Sequence, residues 1–274
     1  MKIKFMSCRE HISPHCTGWE LSRVLLFALS FALMLLAGPV WCAKKPKQQK
    51  DLPIERWLEA ADQGKLKAMK KLLRQYPELL NAGRDTQAPP KVELSALHYA
   101  CRGRHFDVIR FLLSKGADPD GGLDPNANTY MPIHAATPYP KIMQMLIGAG
   151  ATVEARYYDC STPLHDAVTS DSPDAEEEAA TKLLLKHGAY IEARDCNGRT
   201  PLHYAVEDLR NEDIVKLLLE EGADPNAPGW CGRRPLHVAL LNIDEPWPVV
   251  YQLLKAGARV GGKEARDGRM PIHI

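Results

Sequence analysis

Six histidines recur at nearly regular intervals, and an imidazole group can bind a metal ion or transfer a proton. The intervals are 36, 31, 38, 34 and 36 residues, and the residues are His98, His134, His165, His203, His237 and His273. A metal site or a catalytic pair needs its side chains within a few ångströms of each other. Regular spacing instead predicts one histidine in each structural repeat, too far from the next to share a metal ion. We therefore predict no metal, no cofactor and no catalytic residue.

Each histidine belongs to a short opening phrase, of which Thr200-Pro-Leu-His-Tyr-Ala is the fullest form. Thr200 is a good helix cap and Pro201 suits the first turn of a helix. A second apolar helix follows from Ile214, and Gly222 ends it because that position usually requires a positive φ angle. A single unit of this kind cannot bury its apolar stripe, so neighbouring units must stack.

The stretch from Thr200 to Asn226 resembles the consensus of the ankyrin repeat family, and the resemblance covers roughly residues 51–274. It implies an all-α solenoid of helix pairs joined by β-hairpin loops. It also implies a structural role for the histidines, each hydrogen-bonding the threonine and backbone of its own turn.

This resemblance sets the predicted domain organisation. The ankyrin-repeat domain spans 51–274, begins with an atypical capping unit at 51–93 and follows a basic linker at 44–50. Complete repeats begin near 94, 131, 162, 200 and 234, and a partial repeat begins at 270. The first helix of the third repeat must be short, because only four residues separate Ala136 from Lys141. Trp247, which lies between Pro246 and Pro248, is predicted to pack over the core.

The first 43 residues differ from the repeats. Residues 24–43 carry no charge and are mostly apolar, and basic residues precede them. This pattern is typical of a secretory signal peptide, although its length also allows a membrane anchor. We therefore expect an exported protein, periplasmic or secreted, or one held by a single membrane-spanning segment. Membrane contact is expected only through this segment, if it is not cleaved.

Four cysteines follow this segment: Cys101, Cys160, Cys196 and Cys231. Cys101 occupies a small buried position of its helix, where a free thiol is common. The other three lie near the hairpin tips of consecutive repeats. An even number of cysteines in an exported protein invites disulfides, but neighbouring tips are expected to exceed the Cα separation of about 7 Å that a bridge allows. The sequence leaves the pairing open and favours free thiols.

The charge of the repeat region is slightly acidic. From residue 51 onward it has 27 basic and 32 acidic residues, which argues against nucleic-acid binding. The Asp- and Asn-rich loop at 118–130 lacks the closing glutamate of a calcium loop. The acidic insertion at 170–178 is predicted to be a solvated helix start rather than a docking patch.

No catalytic motif is present in the sequence, and we predict that the protein is not an enzyme. The resemblance implies a monomeric protein-binding module whose hairpin tips and inner helices form a concave face. An inhibitor or immunity-like protein that blocks a partner enzyme is the alternative. Aligned to the opening phrase, the predicted partner contacts are Tyr130, Tyr158, Asp159, Arg199, Trp230 and Arg233 before it, and Glu207, Asp208, Leu241 and Asn242 after it. Tyr157 is expected to point inward where Tyr158 points outward.

Overall fold

The structure is a computed structural model that describes residues 53–85, 93–122, 130–169, 176–207, 212–242 and 247–261. All of them belong to the compact unit Asp51–Ile274. The predicted signal or anchor at 1–43, the linker at 44–50 and the partial repeat from 270 lie outside the described residues. Within the described residues, no helix is long and apolar enough to cross a membrane.

The described residues form helix pairs in the predicted order. The helices are α1 Ile54–Asp62, α2 Leu66–Gln75, α3 Ala96–Arg102, α4 Phe106–Ser114, α5 Pro132–Ala136, α6 Pro140–Gly148, α7 Pro163–Ala167, α8 Glu177–Lys186, α9 Pro201–Glu207, α10 Glu212–Glu220, α11 Pro235–Asn242 and α12 Trp247–Lys255. Odd-numbered helices are the inner helices and even-numbered helices the outer ones. The third repeat has the expected short first helix, α5, of five residues.

A short antiparallel sheet separates the capping unit from the second repeat. Its strands are β1 Gly83–Asp85 and β2 Glu93–Ser95, and Arg84 pairs with Leu94. The capping unit contains the two helices α1 and α2, in which Trp57 and Met69 are fully buried. Short 3₁₀ segments occur at Pro77–Leu79 and Trp230–Gly232.

Small residues at one fixed position let the inner helices approach one another. The alanines at this position are all fully buried: Ala100, Ala136, Ala167, Ala205 and Ala239. Each inner helix packs against the inner helix of the next repeat, as each outer helix does against its own neighbour. A buried alanine costs almost no side-chain entropy, so close packing here is inexpensive.

Hydrogen bonds from backbone N–H groups to side-chain oxygens link the repeats at the ends of the outer helices. At each junction between repeats, a side-chain oxygen of one repeat accepts a hydrogen bond from a backbone N–H of the next, at 2.8–3.0 Å. The acceptors are Asn81, Asp120, Glu154, Glu192 and Asn226, and the donors are Asp118, Thr152, Tyr190, Asp224 and Arg259. These bonds hold the repeats in register, because each turn N–H is satisfied only by the correct neighbour.

The prediction that Trp247 packs over the core is wrong. Trp247 is 70% exposed, and Tyr251, one turn later on α12, is 67% exposed. The core side of α12 is supplied instead by Val249, Val250 and Leu253, which are all buried. Trp247 is the first residue of α12 and lies on its outward face.

Candidate protein-interaction site

Three hairpin tips precede the fourth, fifth and sixth repeats, and we name them the fourth-repeat tip (residues 157–161), the fifth-repeat tip (195–199) and the sixth-repeat tip (229–233). The same backbone hydrogen bond closes each of them, from the N–H of the first residue to the carbonyl of the fifth, at 2.7–3.0 Å. The fourth residue has positive φ in all three: Cys160, Gly198 and Gly232. The fourth-repeat and fifth-repeat tips therefore share these backbone features and differ in side chains, whereas in the sixth-repeat tip the third residue, Cys231, also has a positive φ angle of 55°.

The repeated histidines brace these tips. In His203, Nδ1 accepts a hydrogen bond from the backbone N–H of Thr200 at 3.1 Å and lies 2.9 Å from the threonine hydroxyl. Its Nε2 lies 3.0 Å from the carbonyl of Arg233 in the next tip, so it carries the proton and donates it. His98 and His165 make the same contacts, to Tyr130 and Arg199. The predicted structural role is confirmed for these three histidines.

The remaining three histidines differ from this pattern. In His134 and His237, Nδ1 accepts the backbone N–H of Met131 and Arg234, at 3.1 and 3.2 Å, and these two residues stand where other repeats have threonine or serine. His273 lies outside the described residues. Burial lowers the pKa of His98, His134, His165 and His203 to about 4, so these four imidazoles are neutral at pH 7. In the described part of the chain, no group of three or more His, Cys, Asp or Glu side chains could hold a metal ion.

A disulfide links the fourth-repeat and fifth-repeat tips. Cys160 and Cys196 are bonded, with their Cα atoms 5.1 Å apart. The expectation that neighbouring tips are too far apart to be bridged is therefore wrong. The tips meet edge to edge, because the backbone N–H of Cys196 donates to the carbonyl of Asp159 at 2.8 Å. Cys101 is a buried free thiol as expected, and Cys231 is also free.

The fifth-repeat tip holds its own ion pair, which we call the fifth-repeat site. The Asp195 side chain is fully buried and accepts hydrogen bonds from the backbone and Nε of Arg199, at 2.7 and 2.9 Å. It also accepts the Tyr204 hydroxyl at 3.0 Å. The Arg199 guanidinium lies 4.2 Å from the Tyr204 ring centroid and pairs with Glu207 at 3.3 Å. Burial raises the pKa of Asp195, but the bonds from Arg199 and Tyr204 outweigh it and lower the pKa below its usual value.

The fourth-repeat tip gathers aromatic rings around two carboxyl groups, and we call this cluster of Tyr130, Tyr157, Tyr158, Asp159 and Asp166 the fourth-repeat site. The ring centroids of Tyr130 and Tyr157 are 5.3 Å apart, and those of Tyr157 and Tyr158 are 4.1 Å apart, both edge to face. Tyr158 is 57% exposed and Tyr157 half-buried, so the predicted orientations are confirmed. Burial raises the pKa of Asp166 to about 7, and Asp159 adds to this. Burial, together with the Asp166 charge, also raises the pKa of Tyr130 to about 12.

The other predicted contact residues are spread along the tips and the inner helices. Trp230 is 50% exposed at the sixth-repeat tip, with the Arg233 guanidinium 5.6 Å from its ring centroid. Leu241 and Glu207 are exposed at the ends of α11 and α9. Asp208 lies outside the described residues, as does the side chain of Asn242. The prediction that these residues contact a partner remains a prediction.

Sequence reasoning missed one member of the site and one exposed surface. Asp166 replaces the residue that is Tyr99, Ala135, Tyr204 or Val238 in the other repeats, so alignment of the repeats with one another would have identified it. Similarly, Trp247 and Tyr251 replace Glu212 and Lys216 of the preceding outer helix, which are solvent-facing. Both signals lie in differences between repeats rather than in the repeat pattern itself.

Stacked helix pairs, linked by hydrogen bonds of histidine imidazoles and of carboxylate and amide oxygens, define an α-helical repeat solenoid of the kind that binds other proteins. The family model for ankyrin repeats (3 copies) matches residues 57–157 and 138–229. The chain belongs to the ankyrin repeat family, whose domains are typically non-catalytic interaction modules.

Two solved structures illustrate the similarity. The chain is similar to the crystal structure of the ankyrin repeat domain of Bcl-3, described as a member of the IkappaB protein family, with 29% identity and a TM-score of 0.65 over 82% of this chain and 94% of that one. It is also similar to the human ASB11 ankyrin repeat domain, with 26% identity and a TM-score of 0.60 over 79% of this chain and 89% of that one. No curated protein matches the sequence.

Proposed function

We propose that the protein binds a protein partner through its hairpin tips and the adjoining ends of its inner helices. The observation that carries this proposal is the exposure of Tyr158 and Trp230. They occupy the second position of the fourth-repeat and sixth-repeat tips, where the fifth repeat has Cys196. Exposed aromatic side chains next to arginine are enriched at interface hot spots, and Arg233 lies beside Trp230.

The disulfide supports a further proposal on location. A bridge between two surface tips forms and persists in oxidising compartments and is rare in the cytosol. The Cys160–Cys196 bond is therefore consistent with an exported protein, periplasmic, secreted or anchored by its N-terminal segment. We propose that it acts there as a monomer.

Affinity capture tests the partner proposal. The full chain is compared with a variant carrying Tyr158→Ala, Trp230→Ala and Arg233→Ala, using extract from the native source. A matched control carries Tyr190→Ala, Trp247→Ala and Tyr251→Ala, three exposed aromatic residues away from the tips. Circular dichroism first establishes that all three proteins have the same helix content.

A protein that the parent and the control retain but the tip variant loses would support the proposal. Equal retention by all three would contradict it, and loss by the control alone would assign binding to the surface that carries Tyr190, Trp247 and Tyr251. If the retained partner is an enzyme, its turnover with and without this protein separates the inhibitor or immunity-like alternative from a scaffold.

A further inference from the structure

The fourth and fifth repeats carry the same chemical groups in exchanged positions. When the phrases that begin at Thr162 and Thr200 are aligned, Tyr157 takes the place of Asp195, and Asp166 takes the place of Tyr204. The residue between them differs in charge, because Ser161 takes the place of Arg199. A carboxyl group and a phenol ring thus flank both tips, but only the fifth repeat supplies a guanidinium group to lie between them.

The fifth-repeat site shows what such a guanidinium does. Nε of Arg199 donates to Asp195 at 2.9 Å, and Nη2 donates to the Tyr204 hydroxyl at 2.7 Å. The group also lies over the Tyr204 ring, 4.2 Å from its centroid, in the geometry of a cation–π contact. One cation therefore satisfies a buried carboxylate and covers an aromatic face.

The fourth-repeat site lacks this cation. Among the described residues, no hydrogen bond or ion pair reaches the Asp166 carboxyl group. Asp159, Tyr130 and Tyr157 face it, and none of them is a cation. Two guanidinium groups near the site have other partners: Arg102, which also acts on Tyr130, pairs with Asp62 at 2.9 Å, and Arg156 donates to the carbonyl groups of Cys160 and Arg194 at 3.2 and 2.9 Å. The nearby His134 is no substitute, because burial keeps its imidazole neutral at pH 7. A half-buried carboxyl group that has no counter-charge is costly unless a cation arrives from outside.

We propose that Tyr130, Tyr157, Tyr158, Asp159 and Asp166 form a binding site for an arginine side chain presented by the protein partner. The inference rests on the proposed function and specifies the chemistry of the partner. Tyr158, exposed at the rim, provides a face on which the guanidinium stacks, and the two aspartates provide the opposite charge. A guanidinium suits the site better than an ammonium group because it can stack on a ring and donate to a carboxylate at the same time.

The test uses small probes on the full chain, labelled with ¹³C on its tyrosine rings. The probes are N-acetyl-arginine-N-methylamide, its lysine equivalent and its norleucine equivalent, titrated at pH 8 and followed by NMR. We expect the arginine probe to shift the rings of Tyr130, Tyr157 and Tyr158 saturably, with a Kd on the order of 1–10 mM. The lysine probe should bind more weakly, and the norleucine probe should cause no saturable shift.

Three variants make the result specific. Asp166→Asn should weaken binding of the arginine probe by about 5-fold or more, since it removes one charge pair. Glu221→Gln, at an exposed carboxylate after α10, should leave the affinity unchanged. Ser161→Arg supplies the missing guanidinium from within the chain and should abolish probe binding. If Ser161→Arg does not fold, Asp166→Asn and its control decide the matter alone.

Equal shifts with the arginine and norleucine probes, or an unchanged affinity in Asp166→Asn, would overturn the proposal. This outcome is separable from failure of the proposed function. A partner captured through the tips together with a negative probe titration would leave the function standing and remove the arginine site. A saturable titration with no captured partner would support the arginine site and leave the proposed function without support.

Discussion

The fourth and fifth repeats place a carboxyl group and a tyrosine on equivalent backbones and use them differently. In the fifth repeat, Asp195 is enclosed by Arg199 and Tyr204, and its pKa is lowered. In the fourth, the described residues offer Asp166 tyrosines and Asp159 but no paired cation, and burial raises its pKa to about 7. Two adjacent tips therefore use the same groups differently: the fifth-repeat tip pairs its charged groups internally, whereas the fourth-repeat tip leaves the Asp166 carboxyl group without a counter-charge among the described residues.

The largest loss of stability should come from protonating the buried, neutral histidines, a feature that both repeats share. The pKa of each of four histidines falls from 6.5 to about 4 on folding. Their stabilising contribution is complete above pH 6.5 and is lost as the pH falls towards 4. We expect urea unfolding to show a loss of about 5 kcal/mol between pH 7 and pH 5. Asp166 acts in the opposite direction, so an unchanged or rising stability would show that the histidines are not the dominant groups.

Disrupting the fifth-repeat site, where Arg199 already pairs with Asp195, should cause the next largest loss of stability. Asp195→Ala leaves the half-buried Arg199 and two backbone N–H groups of the tip without their acceptor. We expect a loss of about 4 kcal/mol in the free energy of unfolding. The matched change Asp166→Ala, which removes a carboxyl group without partners, should cost far less. Equal losses in the two variants would erase the distinction between a filled and an open site.

Removing the covalent link between the two tips ranks third. The disulfide closes a loop between residues 36 apart in sequence, so Cys160→Ser with Cys196→Ser should lower the free energy of unfolding by about 3 kcal/mol. Cys231→Ser, at a free thiol, should change it by less than about 0.5 kcal/mol. If the double variant were as stable as the parent under oxidising conditions, the bridge would not stabilise the fold.

The Asp166 carboxyl group of the fourth-repeat site should make the free energy of unfolding depend on pH. Because folding raises the pKa of Asp166, the folded state holds a proton that the unfolded chain has lost, and stability decreases between about pH 4 and pH 7. Asp166→Asn removes this penalty and should stabilise the protein by about 2 kcal/mol at pH 8. The gain should vanish below about pH 3, where the carboxyl group is protonated in both states. A gain that persists there would point to packing instead of charge.

The smallest effects on stability are expected at the exposed tip aromatics. Tyr158→Ala and Trp230→Ala should each change the free energy of unfolding by less than about 1 kcal/mol, because half or more of each side chain is already in solvent. Chemical denaturation of the two variants checks this. A loss of several kcal/mol would mean that these side chains hold the tips together, and that their exposure is not available to a partner.

The repeat architecture could be read from the sequence because its signals are local and recur. The recurring phrase predicted the helix pairs and the short α5, and the resemblance to the ankyrin repeat family implied the bonds from the histidines to their own turns. What the sequence did not reveal depends on how adjacent repeats sit side by side. The Cα separation of 5.1 Å between Cys160 and Cys196 is set by the lateral offset of two tips, which no periodicity encodes.

The candidate site was predictable in part for the same reason. Alignment to the opening phrase identified Tyr158, Asp159 and Arg199, but not that Arg199 is bonded to Asp195 and Glu207 within its own tip. Asp166 was overlooked because it follows a histidine in a helix that otherwise fits the pattern. Trp247 was placed inside because an aromatic residue beside prolines suits a core, although the valines of α12 already fill that space.

The most direct test of the distinction between the two sites is the pKa of the Asp166 carboxyl group, followed by ¹³C NMR of the full chain with and without the arginine probe. The account predicts a midpoint near pH 7 in the free protein and a clear decrease, towards the usual range of a carboxyl group, when the probe is saturating. A midpoint near 4 in the free protein would mean that the site already contains its counter-charge, and a midpoint near 7 that the probe does not move would mean that the open site does not take a guanidinium group.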